Sequence, residues 1–131
     1  SLKDHFPAWS CCWRVDINAD VVVKHRFKGG THATHNATLW AGKTMVTGHL
    51  HSQRISPVTD YLGTRWGIDT GCLADPLHAA FVDYTEAAPL NWRSGFAVLT
   101  IKDGRLLPPE LVAVWDHQPD SVSFRGKIIK V

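Results

Sequence analysis

The chain has 131 residues, of which 44% are hydrophobic and 20% charged, so its composition excludes a disordered tail or a fibrous repeat. Its formal net charge of +2 and its pI of about 8.5 are far below those of a dedicated nucleic-acid-binding domain. No apolar run approaches the roughly 20 residues of a membrane-spanning helix, and the first residues lack the pattern of a signal peptide. Three cysteines without a C-x-x-C spacing indicate reduced thiols. We therefore expect one soluble, cytoplasmic domain over residues 1–131, without a membrane partner.

In the first half of the chain, strand and helix patterns alternate. Residues 13–18 alternate apolar and polar side chains, which predicts a half-buried strand, and Val21–Val23 is typical of a strand covered on both faces. Residues 32–41 have the composition of a helix, and Gly42 stands where a left-handed residue ends one. Residues 44–47 predict the next strand. A strand, a helix and a strand over about thirty residues form a βαβ unit, so we expect the two strands to be parallel neighbours.

The second half of the chain has the pattern of antiparallel β-structure. The Asp103-Gly104 dipeptide strongly predicts a hairpin, and a long surface loop with a short helical turn is expected between residues 72 and 92. Strands are expected at residues 65–69, 95–101, 105–107, 111–115 and 127–131. The chain as a whole is predicted to be a β-rich α/β domain.

Five of the eight histidines lie between residues 25 and 51. His25 follows the first strand of the predicted βαβ unit, and His49 and His51 follow the second, in Gly48-His49-Leu50-His51. Ligands bind outside the carboxyl ends of strands in open α/β sheets. Paired metal ions lie roughly 3.5–4 Å apart, and a metal–imidazole bond is about 2.0–2.1 Å long, so histidines two apart can reach different ions of one pair. These three histidines are therefore candidate metal ligands, and Gly48 is expected to supply backbone freedom before them.

The sequence of residues 44–51, Thr-Met-Val-Thr-Gly-His-Leu-His, resembles the last signature of the calcineurin-like metallophosphoesterases. In that signature an apolar strand is followed by Gly-His-x-His. Residues 21–25 resemble the preceding strand, whose terminal histidine is a ligand, and residues 66–72 resemble the strand and turn that follow. The likeness extends over residues 13–75 and is greatest to phage-type and bacterial members.

The resemblance implies a four-layer αββα sandwich that hydrolyses phosphate esters with a hydroxide activated by two divalent ions, Mn, Fe or Zn. Carried over to this sequence, His25 and His49 would bind one ion and His51 the other. The family's Asp-x-His, Gly-Asp and Asn-His segments do not occur before His25. The implied domain organisation is therefore the C-terminal portion of a larger phosphoesterase domain. The chain alone would hold one ion or none and be inactive, and its catalytic residues stay unassigned.

Further side chains are candidates for contact with a phosphate-ester substrate, for which nucleotides and nucleic acids are compatible classes. Arg26, His32 and His35 are the candidate substrate-binding residues. For each of them a solvated surface position is the alternative. The six tryptophans are dispersed along the chain, which favours core packing and loop anchoring over base stacking.

Two other functions stay open beside the phosphoesterase. One is a non-catalytic, β-rich interaction domain that binds at most one metal ion. The other is a nuclease module that processes nucleic acid. A domain without its N-terminal portion would expose strand edges and an apolar face, so we expect the chain to self-associate.

Overall fold

In the computed structural model the chain forms two β-sheets with helices attached to them. The structure describes residues 1–86, 88, 90–116 and 118–131. None of the helices within these ranges is long and apolar enough to cross a membrane. The architecture is a β-rich α/β fold, which confirms the predicted class.

The sheets are defined by their strand order. The first sheet has five strands in the order β1-β2-β3-β5-β4, the second has four in the order β11-β10-β9-β6, and β7 and β8 form a separate hairpin. The helices are α1 (Leu2–His5), α2 (Ala33–Ala41) and α3 (Ala79–Tyr84). The strands are β1 (Val15–Asp16), β2 (Val21–Val23), β3 (Thr44–Thr47), β4 (Arg54–Asp60), β5 (Gly63–Asp69), β6 (Gly95–Val98), β7 (Ile101–Lys102), β8 (Arg105–Leu106), β9 (Glu110–Trp115), β10 (Gln118–Phe124) and β11 (Lys127–Lys130).

The predicted βαβ unit is present at the centre of the first sheet. β2 and β3 pair in parallel, with Val21 opposite Thr44, and α2 connects them. β5 joins β3 in the same direction. α2 ends at Gly42, whose φ of 64° is left-handed and whose N–H donates to the carbonyl of Thr38. Because β2, β3 and β5 run in one direction, their carboxyl ends meet at one edge of the sheet.

Both faces of the first sheet are covered, because successive residues of a strand point to opposite sides. On one face Val22 packs against residues that include Ala37 of α2. On the other face a buried cluster contacts side chains from β6 to β8. That cluster consists of Val21, Val46 and Ile68, and its contacts from the second half of the chain are Ala97, Leu99 and Leu106. The order of layers is therefore α2, the first sheet, and the β-structure of the second half.

Gln53 links the two sheets through its side-chain amide. Its Nε2 donates to the carbonyls of Val112 at 2.8 Å and of Phe96 at 3.2 Å. Gly95 is required beside it, because a Cβ at this position would lie 2.1 Å from the carbonyl oxygen of Val112. The second sheet is thereby held against the end of the first.

The side of the second sheet that faces away from Gln53 carries mainly apolar side chains, and we call it the outer face. Cross-strand pairing places Phe96 opposite Val112. Val122 lies between two partners, Val114 on β9 and Ile129 on β11. Phe96 is 47% exposed and Ile129 is 45% exposed. The outer face consists of Phe96, Val98, Val114, Val122 and Ile129 around the buried Val112, and Glu110 lies on the same side opposite Val98.

Several predicted elements agree with the structure. The Asp103-Gly104 hairpin forms with φ angles of 51° and 75°, the left-handed pair that a type I′ turn requires. The long loop between residues 72 and 92 contains α3 as its helical turn. The predicted strands at residues 65–69, 111–115 and 127–131 coincide with β5, β9 and β11 to within two residues.

Two predictions of strands are wrong or incomplete, and two strands were not predicted. Only Val15–Asp16 of residues 13–18 is a strand, and Trp13 is 95% exposed, so this segment is not half-buried. The predicted strand at residues 95–101 divides into β6 and β7, which belong to different sheets. β4 and β10 were not predicted, and each contains a proline. Pro57 is tolerated because β4 is an edge strand, and Pro119 lies where the register of β10 shifts.

We predict that Gly67→Ala strongly destabilises the fold. A Cβ at Gly67 would lie 1.9 Å from the carbonyl oxygen of Thr34, so α2 would have to move away from β5. We expect the free energy of unfolding to fall by about 3 kcal/mol, the upper range for an overpacked core. Urea denaturation measures it. Gly29→Ala is the matched control, because a Cβ there meets no atom within 4 Å, and an equal effect of both variants would contradict this account.

Self-association stays a prediction, and the outer face is the surface we expect to mediate it. Two copies can bury this apolar surface against each other, as sheets do when they pack face to face. Light scattering should show a dimer or larger species, and the double change Phe96→Lys and Ile129→Lys should shift it towards monomer. A wild-type chain that stays monomeric at high micromolar concentration would contradict the prediction.

Candidate functional site

The segments that leave β2, β3 and β5 stay hydrogen-bonded to one another beyond the ends of the strands. The N–H of Lys24 donates to the carbonyl of Val46 at 2.9 Å, and the N–H of Gly48 donates to the carbonyl of His25 at 3.3 Å. On the other side of β3, the N–H of Thr70 donates to the carbonyl of Thr47 at 2.8 Å. This continued ladder places the residues after the three strands side by side.

His25 and His49 come together at this edge. The Nδ1 of His49 lies 3.1 Å from the Nε2 of His25, and the ring centroids are 5.0 Å apart at an interplanar angle of 74°. Both side chains are exposed, so a ligand can reach them from solvent. In the neutral pair one ring nitrogen donates its hydrogen to the other. The strand-end positions seen in the sequence thus produce a real contact between two imidazoles.

His51 does not join this pair. Its φ of 59° is left-handed, and its ring packs edge-on against Trp92 with centroids 4.4 Å apart. Its Nδ1 is buried without a hydrogen-bond partner. The expected role of Gly48 was wrong, because the left-handed residue of this turn is His51 and Gly48 instead lies close to the side chain of Thr70. Among the described residues no three His, Cys, Asp or Glu side chains are grouped to hold a metal ion.

Asp69 is the residue of this edge that the sequence analysis missed. Its side chain is completely buried at the end of β5. One carboxylate oxygen accepts the N–H of Gly71 at 3.0 Å, and the other accepts the N–H of Leu50 at 3.3 Å. Asp69 therefore holds the loop between His49 and His51 in place. An aspartate that ends a predicted strand, next to two histidine-bearing strand ends, was the available signal.

A shallow cavity of about 430 Å³ adjoins the histidine pair. His49 lines one side of it, and the other side is strongly basic. Arg26 is among its lining residues, whereas His32 and His35 are not. His32 is the N-cap residue of α2 and makes no capping bond with its side chain, and His35 is exposed on the same helix. The cavity is lined by Lys24, Arg26, Phe27, Lys28, Gly29, His49 and Leu50.

The charge of the chain is concentrated around this cavity. Residues 21–59 contain five Lys and Arg residues and no Asp or Glu, whereas the rest of the chain has nine Lys and Arg against twelve Asp and Glu. None of the ion pairs formed within the described residues involves Lys24, Arg26 or Lys28. The small net charge of the whole chain therefore conceals a positive surface that is suited to anions.

The chain is similar to two mycobacteriophage proteins. It is 35% identical over 104 residues to the Gene 54 protein of Mycobacterium phage L5 and 34% identical over 104 residues to the Gene 54 protein of Mycobacterium phage D29. Each match covers 71% of this chain, and the chain spans 39% of the length of each relative. No family profile matches the chain, and no solved structure does.

We predict that Asp69→Asn loosens the loop that carries His49 and His51. The amide replaces one of two acceptor oxygens with a donor that faces a backbone N–H. Leaving such a buried donor without a partner costs roughly 1–3 kcal/mol. Urea denaturation should show this loss, and NMR should show shifted imidazole signals of His49 and His51. Asp83→Asn, at an exposed position on α3, is the control, and equal stability of both variants would refute the assignment.

Proposed function

We propose that the chain is the histidine-bearing portion of a calcineurin-like, metal-dependent phosphoesterase, and that His25 and His49 are two ligands of one of its ions. The observation that carries the proposal is the 3.1 Å separation between their ring nitrogens at the ends of adjacent parallel strands. Two nitrogens bound at about 2.0–2.1 Å to one tetrahedral ion lie about 3.3 Å apart. The distance between the two nitrogens therefore matches the separation of two ligands of a single ion.

His51 is the proposed ligand of the other ion. Its buried Nδ1 has no hydrogen-bond partner in the structure, and an unsatisfied buried nitrogen is costly. Such an atom is expected where a partner comes from outside the chain. Divalent ions bound here would supply Lewis-acid activation of water and of the phosphoryl group. The remaining ligands belong to the rest of the parent protein in this proposal, because the described residues bring no three His, Cys, Asp or Glu side chains together for a metal ion.

The basic residues of the cavity supply the proposed substrate contact. Arg26 presents a guanidinium group that can bind phosphate oxygens in pairs, and Lys24 and Lys28 add charge beside it. Neutral imidazoles cannot offset the charge of two metal ions, so carboxylates from the remainder of the parent protein are needed. For that reason the proposal includes no catalytic activity for this chain alone.

The order of the layers supports our proposal of a more specific fold, the four-layer αββα sandwich. We infer that α2, the first sheet and the second sheet are three layers of a four-layer αββα sandwich. The outer face, with Phe96 and Ile129 about half exposed, is where a further helical layer would pack. The phage relatives extend well beyond the part that this chain matches, which is compatible with a larger domain.

We predict that the purified chain binds Zn²⁺ or Mn²⁺ through the histidine pair. In isothermal titration calorimetry His49→Ala and His25→Ala should each weaken binding by about tenfold or more, as the loss of a metal-site interaction does. His35→Ala is the matched control, because this histidine is exposed on α2 and does not line the cavity.

The proposal fails if neither ion binds the wild-type chain, or if His49→Ala binds the ion as tightly as His35→Ala does. A smaller effect of His51→Ala is expected at one equivalent of metal, because His51 is assigned to the other ion.

A further inference from the structure

Two exposed aromatic rings are interleaved with the basic residues beside the cavity. Trp40 is 73% exposed and Phe27 is 42% exposed. The Nζ of Lys28 lies 4.1 Å from the ring centroid of Trp40 and 5.4 Å from that of Phe27, and the Nζ of Lys24 lies 5.4 Å from the latter. With Arg26, these residues form what we call the basic–aromatic patch.

The exposure of this tryptophan departs from the expected core packing and loop anchoring, whereas Trp66 packs against the core as expected. Trp9 and Trp13 are also mostly exposed, at 65% and 95%. Trp40 differs from them because it lies in the acid-free part of the chain, and its contact with Lys28 connects it to the cavity. Exposed apolar side chains are ordinary on protein surfaces, so the informative feature is that this ring lies beside cations that form no ion pair within the described residues.

The combination of side chains restricts the class of ligand. Lysine and arginine without acidic partners attract phosphate, but phosphate alone makes no use of aromatic rings. A nucleobase does, because every base has a flat face that stacks on an exposed ring. In a double helix those faces are covered by neighbouring base pairs, whereas a single strand presents them.

We propose that the basic–aromatic patch binds single-stranded polynucleotide. Trp40 and Phe27 stack against bases, and Lys24, Arg26 and Lys28 contact the backbone phosphates. Because Lys24, Arg26 and His49 line the same cavity, a strand bound to the patch passes the histidine pair. Single-stranded nucleic acid thereby becomes the substrate class of the proposed phosphoesterase. Hydrolysis rests on that proposed function, whereas binding to the patch does not require a metal ion.

The test is fluorescence anisotropy of a labelled single-stranded twelve-nucleotide probe, as DNA and as RNA, in EDTA and at low salt. Trp40→Ala should weaken binding by roughly fivefold to a hundredfold, the effect of losing one stacked base. Trp13→Ala is the matched control, because that ring is exposed outside the patch. Binding of either DNA or RNA supports the proposal.

The salt dependence tests the phosphate contacts separately. Three phosphate contacts predict that the logarithm of the binding constant falls with the logarithm of the salt concentration with a slope of about −2. Lys28→Ala should make this slope less steep by about 0.7. Lys127→Ala, on β11, should leave the slope unchanged. Circular dichroism establishes that each variant folds, since all four substitutions are at surface positions.

Three results would overturn the proposal. They are no binding by the wild-type chain, equal affinity for an abasic strand of the same charge, and equal affinity for a duplex. The outcome is independent of the metal assay, because the probe is measured in EDTA. If the wild-type chain binds the strand but no metal ion, only the phosphoesterase assignment is contradicted. If it binds a metal ion but not the strand, only the polynucleotide ligand is contradicted.

Discussion

The parallel pairing of β2, β3 and β5 is the constraint on which the rest of the structure depends. It requires α2 to cross from one strand to the next and to lie directly on the sheet, which only a glycine at position 67 allows. It also requires the three strands to end at the same edge. Since His25 and His49 follow neighbouring strands, the direction of the strands alone brings them within contact distance. The candidate site is therefore a consequence of topology more than of any single interaction in the loops.

The loops at that edge are fixed by a buried charge. Asp69 directs both carboxylate oxygens to backbone N–H groups, one of them in the loop between His49 and His51. A buried carboxylate is stabilised when it accepts such bonds, so the loop and the end of β5 are held as one unit. Each carboxylate oxygen of Asp69 accepts one backbone N–H. Its contribution to the site is to position the histidines.

The function proposed for this chain depends on local charge. Three of the five basic residues in the acid-free segment of residues 21–59 line one cavity, while the acidic residues lie elsewhere in the sequence. The histidine pair and the cationic cavity share one edge of the sheet, and Lys28 of the cavity contacts the exposed ring of Trp40. In the two proposals each part binds a different portion of one phosphate-containing polymer: the reacting ester, its neighbouring phosphates and its bases. This common location is why the two proposals are connected although they can be tested apart.

Short windows of sequence determined the elements whose cause is local. The βαβ unit, the helix stop at Gly42 and the Asp103-Gly104 hairpin follow from side-chain periodicity and from the φ angles that glycine permits, so they could be predicted. Tertiary contacts decided the rest. His51 turns away from the pair because its ring packs on Trp92, which lies far along the chain. A short segment of sequence does not predict such a contact or the exposure of Trp40, because both depend on residues that meet only after the sheets have assembled.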